Sequence, residues 1–139
     1  MNLRRYILSL ILPFWIRLGC PPHRLHLLSV NKRRSKGLQQ IPISVVTSKG
    51  QKYIVGLEVS REWVRNVRKS KSVILRRGSA QCPYGISEVH DKATLVIVMK
   101  LYLKQEPYSQ KFFEFDTFSS DDYVYRQCHK HAVFRLVSP

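Results

Sequence analysis

The sequence contains few acidic residues. It has 9 Asp and Glu against 24 Lys and Arg, a formal net charge of +15, and its first acid is Glu58. No paired carboxylates and no Ser-His-Asp arrangement stand out, so the chain is poorly equipped for hydrolysis. A charge excess of this size attracts nucleic acid, an anionic membrane surface or a phosphorylated ligand, and charge alone does not choose among them.

Cysteine is also scarce. The three cysteines, Cys20, Cys82 and Cys128, include no CxxC pair, which predicts free thiols in a reducing cytoplasm. The stretch "CHKH" at 128–131 clusters Cys128 with two histidines, but it has no distant partner that would complete a zinc site. The sequence therefore predicts a cytoplasmic protein without a bound metal.

No apolar run is long enough to cross a membrane. The run Tyr6–Ile16 has eleven residues, whereas a transmembrane helix needs about 20. A basic start suits a signal peptide, but no small-x-small cleavage site follows. We expect residues 1–20 to form an apolar helix. Two alternatives stay open for it: it lies on anionic lipid, peripheral on the inner face of the cell membrane, or it packs on its own domain or across a dimer interface.

The remaining residues, 21–139, suffice for one domain. "HRLHLLSV" at 23–30 predicts a short second helix, and "QIPISVVTSKGQKYIVGL" at 40–57 predicts a β-hairpin that turns at Gly50. A second hairpin turns at Gly78-Ser79, and Pro83 marks its second strand as an edge or a bulge.

Helical patterns follow each hairpin. Ser60 predicts the N-cap of a helix with a packed face at Trp63 and Val67 and a basic face at Arg61, Arg65 and Arg68. Asp91 predicts the cap of a helix over "KATLVIVMKLYLK". The aromatic stretch 106–127 predicts short helical or irregular pieces, and "HAVFRLV" predicts a strand. The order β-β-α-β-β-α-(α)-β favours an α+β domain around a mainly antiparallel sheet or small barrel.

Three blocks resemble the deazaflavin-dependent nitroreductase family: "RRSKGLQQIPISVV", "EWVRNVRKSKSVILRRG" and "HAVFRLV". Their order and spacing match from about residue 31 to the C-terminus. The resemblance implies a split β-barrel related to the FMN-binding oxidoreductases. It also implies that coenzyme F420 (8-hydroxy-5-deazaflavin), or alternatively FMN, binds in a groove beside the barrel, and that barrels pair as a homodimer.

The resemblance also assigns site residues. Four segments would bind the cofactor: the cofactor-phosphate loop, the strand that this loop enters, the exit of the next strand, and the start of the helix that follows. A C-terminal tyrosine would line the substrate side and donate a proton, and Tyr123 and Tyr125 are its candidates. The implied cofactor-binding residues are Arg33, Arg34, Ser35, Lys36, Gln40, Pro42, Ile43, Val55, Gly56, Leu57, Trp63, Val64, Arg65 and Asn66.

Three features depart from the family pattern. Lys36 stands where the family has glycine, Leu38-Gln39-Gln40 stands where Arg-Pro-Arg is common, and Glu58 follows the strand exit where small residues are expected. The function implied is transfer of a hydride from reduced F420 to a quinone-like or nitro acceptor. The alternative is a non-catalytic barrel that binds flavin, a fatty acyl group or another anionic ligand. No nucleic-acid partner is expected, because no recognised binding motif accompanies the charge.

Overall fold

The computed structural model describes residues 25–139, which form a six-stranded barrel with flanking helices. The predicted helix at 1–20 lies outside the described residues. The strands are β1 (Leu25–Asn31), β2 (Leu38–Ser48), β3 (Gln51–Gly56), β4 (Ser72–Arg77), β5 (Ala80–Glu88) and β6 (Ala132–Val137). The helices are α1 (Glu62–Ser70), α2 (Lys92–Gln105) and α3 (Asp121–Gln127), with 3₁₀ turns at Pro107–Phe112 and Cys128–Lys130.

The barrel closes in the order β1-β2-β3-β6-β5-β4, and every neighbouring pair is antiparallel. Strand β1 pairs with both β2 and β4, which closes the ring. Strand β6 lies between β3 and β5. The predicted α+β fold with a mainly antiparallel split barrel is confirmed.

Two apolar clusters stabilise this arrangement. Alternate residues of a strand point to opposite faces of the sheet. On one face, Ile43 and Val45 of β2 belong to the same core cluster as Val64 and Val67 of α1. The opposite faces of β2, β3 and β6 pack against α2 and α3. Helix α1 thus closes one core, while α2 covers the outside of the sheet.

The structure corrects the second predicted helix, because residues 25–31 form strand β1. A short apolar run has no length or period that separates helix from strand. Here the backbone of Leu28 pairs with Ile41 on one side and Leu75 on the other. Pairing with two neighbours therefore decides the conformation.

The first hairpin is confirmed, with a two-residue turn at Lys49 and Gly50 whose φ angles are 51° and 76°. Positive φ at both positions matches the right-handed twist of the flanking strands. In the second hairpin, Pro83 pairs with Ile74 of β4, whereas β6 pairs only with Gly85–Glu88. Proline therefore lies on the part of β5 that pairs with β4 alone among the described strands, as an edge position allows.

The helix starts differ from one another. Asp91 accepts a hydrogen bond from the backbone N–H of Thr94 at 3.0 Å, so the predicted cap of α2 is confirmed. The Ser60 cap is wrong: Arg61 occupies the N-cap of α1, without a side-chain capping bond.

Within residues 25–139, no helix is both long and apolar enough to cross a membrane.

Candidate functional site

An apolar cleft of about 250 Å³ opens where β2, the exit of β3 and the start of α1 meet. Helix α2 supplies its far wall. The cleft combines aliphatic walls with one indole, one guanidinium, one serine hydroxyl and one phenol. Its lining residues are Ile41, Pro42, Ile43, Ser44, Val55, Leu57, Arg61, Trp63 and Tyr102.

Gly56 sets the distance between β3 and α1 beside this cleft. A Cβ atom at Gly56 would lie 2.7 Å from Cγ2 of Val64 and 3.6 Å from the Trp63 ring. Only glycine permits this approach without a shift of the helix. Trp63 in turn meets Phe134 edge-on, with ring centroids 6.4 Å apart. The indole therefore anchors α1 on the core and also lines the cleft.

Tyr102 is the phenol of the cleft and is 7% exposed. Its hydroxyl lies 3.4 Å from the hydroxyl of Ser109. Burial raises the pKa of Tyr102, while the Ser109 hydrogen bond lowers it and the nearby Glu106 charge raises it. The phenol is therefore protonated at neutral pH and is a hydrogen-bond donor.

A polar network fixes the cleft wall beside Tyr102. The hydroxyl of Ser44 donates to Oε1 of Glu106 at 3.0 Å. Gln105 Nε2 donates to the Ser44 hydroxyl at 2.6 Å and to the Val45 carbonyl at 2.9 Å. The end of α2 is thereby tied to β2, which holds the phenol against the cleft.

Charged groups at the cleft mouth partly neutralise one another. Arg61 lines the cleft and donates to Glu58 at 3.4 Å. Glu58 is one of the departures from the family pattern, and its pairing with a guanidinium offsets the negative charge beside the cleft.

The predicted phosphate loop is tied to α1 by Arg33 and Asn66. Arg33 Nη1 donates to Glu62 at 2.6 Å and to Oδ1 of Asn66 at 3.2 Å, and its backbone N–H donates to the same Oδ1 at 3.1 Å. Asn66, 1% exposed, donates to Gln39 at 2.7 Å. The Arg33 hydrogen bond lowers the pKa of Glu62 below its usual value.

The structure brings five of the fourteen implied cofactor residues into the apolar cleft: Pro42, Ile43, Val55, Leu57 and Trp63. Gly56 and Val64 pack behind it. The remaining seven lie outside the lining: Arg33 and Asn66 form the network above, Gln40 donates to Ser29, and Arg34, Ser35, Lys36 and Arg65 are exposed.

The two tyrosines implied as proton donors lie on α3, outside the cleft lining. Tyr123 donates to the Glu114 carbonyl at 3.3 Å, and Tyr125 is 44% exposed beside a different cleft. The sequence reasoning missed Tyr102. One signal pointed to it: Tyr102 is the single phenol within the apolar stretch "KATLVIVMKLYLK".

His131 supports the cleft from behind. Its Nδ1–H donates to the carbonyl of Leu57 at 2.6 Å, and its ring stacks on Phe113 with centroids 4.4 Å apart. The residue is 6% exposed, and burial lowers its pKa. Within the described part of the chain, no group of three His, Cys, Asp or Glu side chains could hold a metal ion.

No protein-family model matches the chain, and no curated protein matches its sequence. Solved structures match in fold. One, a domain-swapped dimer, has a TM-score of 0.61 at 15% identity, with 96% of each chain covered. An F420-H2-dependent reductase has a TM-score of 0.56 at 16% identity, covering 81% of this chain and 93% of its own. An FAD-binding protein from Mesorhizobium loti has a TM-score of 0.52 at 12% identity, covering 94% and 90%.

The chain shares the split-barrel fold of these proteins. The fold that the resemblance implied is therefore confirmed by both the barrel topology and the structural neighbours.

Proposed function

We propose that this protein is an oxidoreductase that uses the reduced deazaflavin coenzyme F420 to transfer a hydride to a quinone-like or nitro acceptor. The observation that carries the proposal is the apolar cleft, in which Pro42, Val55, Leu57 and Trp63 surround space beside the guanidinium of Arg61. FMN is the alternative cofactor. The fold shared with an F420-H2-dependent reductase and an FAD-binding protein supports a cofactor of this type.

The residues present fit such a group. Aliphatic side chains and an indole suit a flat aromatic ring, and clustered guanidinium and ammonium groups suit its anionic tail. Pro42, Val55, Leu57 and Trp63 would hold the ring, and Arg61 would contact a charged group at the mouth. When bound, a reduced deazaflavin supplies a hydride from ring carbon C5.

Tyr102 supplies the hydrogen bond that the acceptor needs. Reduction of a quinone or nitro group places negative charge on an acceptor oxygen, and a preorganised donor stabilises that charge in the transition state. Tyr102 lines the cleft, its phenol is protonated at neutral pH, and its hydroxyl lies 3.4 Å from that of Ser109. The Ser44–Gln105–Glu106 network holds this wall in place.

A homodimer belongs to the same proposal, since one structural neighbour is a domain-swapped dimer. Association of residues 1–20 with an anionic membrane surface, at the inner face of the cell membrane, remains a prediction from the sequence. Sedimentation of the purified protein, with and without anionic vesicles, measures both properties.

The proposal is tested by titrating the protein with oxidised and reduced F420, with FMN alongside, and by assaying turnover with a quinone and a nitroarene. We expect Tyr102→Phe to retain cofactor affinity and to lower kcat on the order of 10²-fold, because it removes the donor and keeps the ring. Tyr123→Phe and Tyr125→Phe are matched controls that should keep kcat, since neither lines the cleft.

Three outcomes would change the assignment. Loss of kcat in a Tyr123 or Tyr125 variant, with Tyr102→Phe unaffected, would move the proton donor to α3. Binding of FMN alone would keep the fold and change the cofactor. Binding of F420 or FMN without turnover would assign the non-catalytic barrel.

A further inference from the structure

One end of the barrel carries the two hairpin turns. Strands β2 and β3 turn at Lys49-Gly50, and β4 and β5 turn at Gly78-Ser79. Because β1 pairs antiparallel with both β2 and β4, the start of β1 lies at the same end as these turns. The end of β6 lies there too, since β6 pairs antiparallel with β3. The loop from β1 to β2, which contains the predicted phosphate loop, is therefore at the opposite end of the barrel.

The end with the two turns is cationic. No Asp or Glu occurs in residues 25–57, 71–87 or 132–139. Among the described strands only Glu88 is acidic, and it is the last residue of β5, at the opposite end. Four cations lie in or beside the turns, and together they are called the basic end: Lys49, Lys52, Arg76 and Arg77.

The charge of the basic end is largely uncompensated. Within the described residues, no acid forms an ion pair with Lys49, Lys52 or Arg76. Both lysines are exposed. The acid that contacts β2, Glu106, does so through the Ser44 hydroxyl in the middle of that strand. A cluster of cations without acids attracts polyanions over a distance.

A cleft of about 400 Å³ opens at this end, where the first hairpin, Tyr84 of the second hairpin and the end of β6 meet. The Lys52 ammonium donates to the Tyr84 hydroxyl at 3.5 Å. An ammonium has three donors and a phenol has one, so this pair retains donors for an anion. Leu136 and Val137 line the same cleft, and Val137 is 43% exposed. Donors beside apolar surface suit a phospholipid headgroup, which joins a phosphate to an apolar chain.

The chain enters the barrel beside the basic end. Leu25 begins β1, and its carbonyl accepts a hydrogen bond from Nη1 of Arg77 at 2.8 Å. Residues 1–24, which precede it, contain four arginines, no acid and the apolar run Tyr6–Ile16. Such a segment suits an anionic bilayer, which offers both negative charge and an apolar phase. Nucleic acid offers only the charge. The point of chain entry therefore favours a membrane as the partner.

We propose that the basic end is a membrane-docking surface of the folded domain, which binds anionic phospholipid in concert with residues 1–20. The inference is independent of the proposed cofactor chemistry. It adds a contact made by the barrel itself to the sequence-based prediction for residues 1–20. It also orients the domain, because the β1–β2 loop and its cations then face away from the bilayer.

The test measures co-sedimentation of the full chain with vesicles at one fixed ionic strength. One set of vesicles is phosphatidylcholine, and the other is phosphatidylcholine mixed with phosphatidylglycerol. The variant Lys49→Asn/Lys52→Gln/Arg76→Gln removes three charges from the basic end, and Asn tolerates the positive φ of residue 49. We expect it to weaken binding to the anionic vesicles on the order of 10²-fold, because each cation near an anionic surface contributes to binding.

A matched control removes three charges from the opposite end of the barrel. Arg34→Gln/Arg65→Gln/Lys69→Gln changes exposed cations of the β1–β2 loop and of α1. Helix α1 connects the end of β3 to the start of β4, both of which lie away from the hairpin turns. This variant should bind anionic vesicles within a few-fold of the wild type. Far-UV circular dichroism verifies that both variants are folded.

The remaining outcomes contradict the proposal. Equal loss in both variants would mean that net charge alone drives binding. Unchanged binding in the basic-end variant, or no binding of the wild type to anionic vesicles, would also overturn the docking surface. If the wild type binds duplex DNA instead of vesicles, and the basic-end variant loses that binding, the surface takes nucleic acid and the membrane assignment is wrong.

Discussion

His131 is a buried imidazole whose charge state matters for folding. Its Nδ1–H donates to Leu57, its Nε2 is buried without a hydrogen-bond partner among the described residues, and two phenylalanine rings surround it. The charged groups that face it are Lys130, His129 and Glu58, of which the first two disfavour protonation and the last favours it. Burial is the largest effect, so the pKa of His131 is lowered in the folded protein.

The lowered pKa predicts that acid destabilises the fold. Between the folded pKa and the ordinary value of about 6.5, the unfolded chain binds more protons than the folded chain, so the free energy of unfolding falls as pH falls. We expect His131→Asn, whose amide can still donate to Leu57, to flatten the decline of this free energy between pH 7.5 and 5. Urea denaturation across that range measures it.

The control is His129→Asn, because His129 is exposed and its ring hydrogen-bonds to the nearby carbonyl of Arg126. An unchanged pH slope in His131→Asn, or an equal change in His129→Asn, would rule out His131 as the group responsible.

At the scale of single residues, a sequence motif indicated part of the lining of the apolar cleft and left out the rest. Pro42, Leu57 and Trp63 were named from a motif and line one cleft. Tyr102 was not named, because it reaches the cleft only when α2 packs across β2, a contact between residues about sixty positions apart. Spacing along a chain carries no information on such a contact.

At the scale of elements, the close approach of β3 and α1 depends on Gly56. We expect Gly56→Ala to lower the free energy of unfolding by about 1–3 kcal/mol, since the added methyl group meets Val64 at 2.7 Å and forces the helix outward. Equilibrium denaturation measures the change.

Two further variants make that measurement specific. Gly85→Ala should be nearly neutral, because its Cβ would have no neighbour closer than 3.7 Å. In a Val64→Ala background the clashing Cγ2 atom is absent. Adding Gly56→Ala to that background should therefore cost less free energy of unfolding than adding it to the wild type. A neutral Gly56→Ala variant would contradict the contact.

The elements that sequence predicted best carry local signals. Asp91 caps α2 in spite of the β-branched residues inside it, and the Lys49-Gly50 turn fixes its hairpin. Strand β1 was mistaken for a helix because its conformation depends on β2 and β4, which lie outside its own seven residues. The Ser60 cap was one residue too early, an error within the usual uncertainty of helix ends.

At the scale of the whole molecule, the charge of +15 predicts a response to salt. Like charges repel one another in the compact state, and added salt screens that repulsion. We expect the Tm to rise as NaCl increases from low concentration to about 0.3 M, where the Debye length is below about 8 Å. Differential scanning calorimetry measures the rise, and sorbitol at matched osmolarity is the control. A Tm that falls with NaCl would mean that the ion pairs outweigh the repulsion.

The position of β6 has a consequence for how the chain is made. Of the six strands it is the last to leave the ribosome, yet it occupies the place between β3 and β5. Until residues 132–137 emerge, those two strands expose unpaired edges, which are prone to aggregate. Ribosome-bound chains that end before Ala132 should therefore need chaperone protection, and His131 and the Leu57 side of the cleft should become ordered only as synthesis of the barrel finishes.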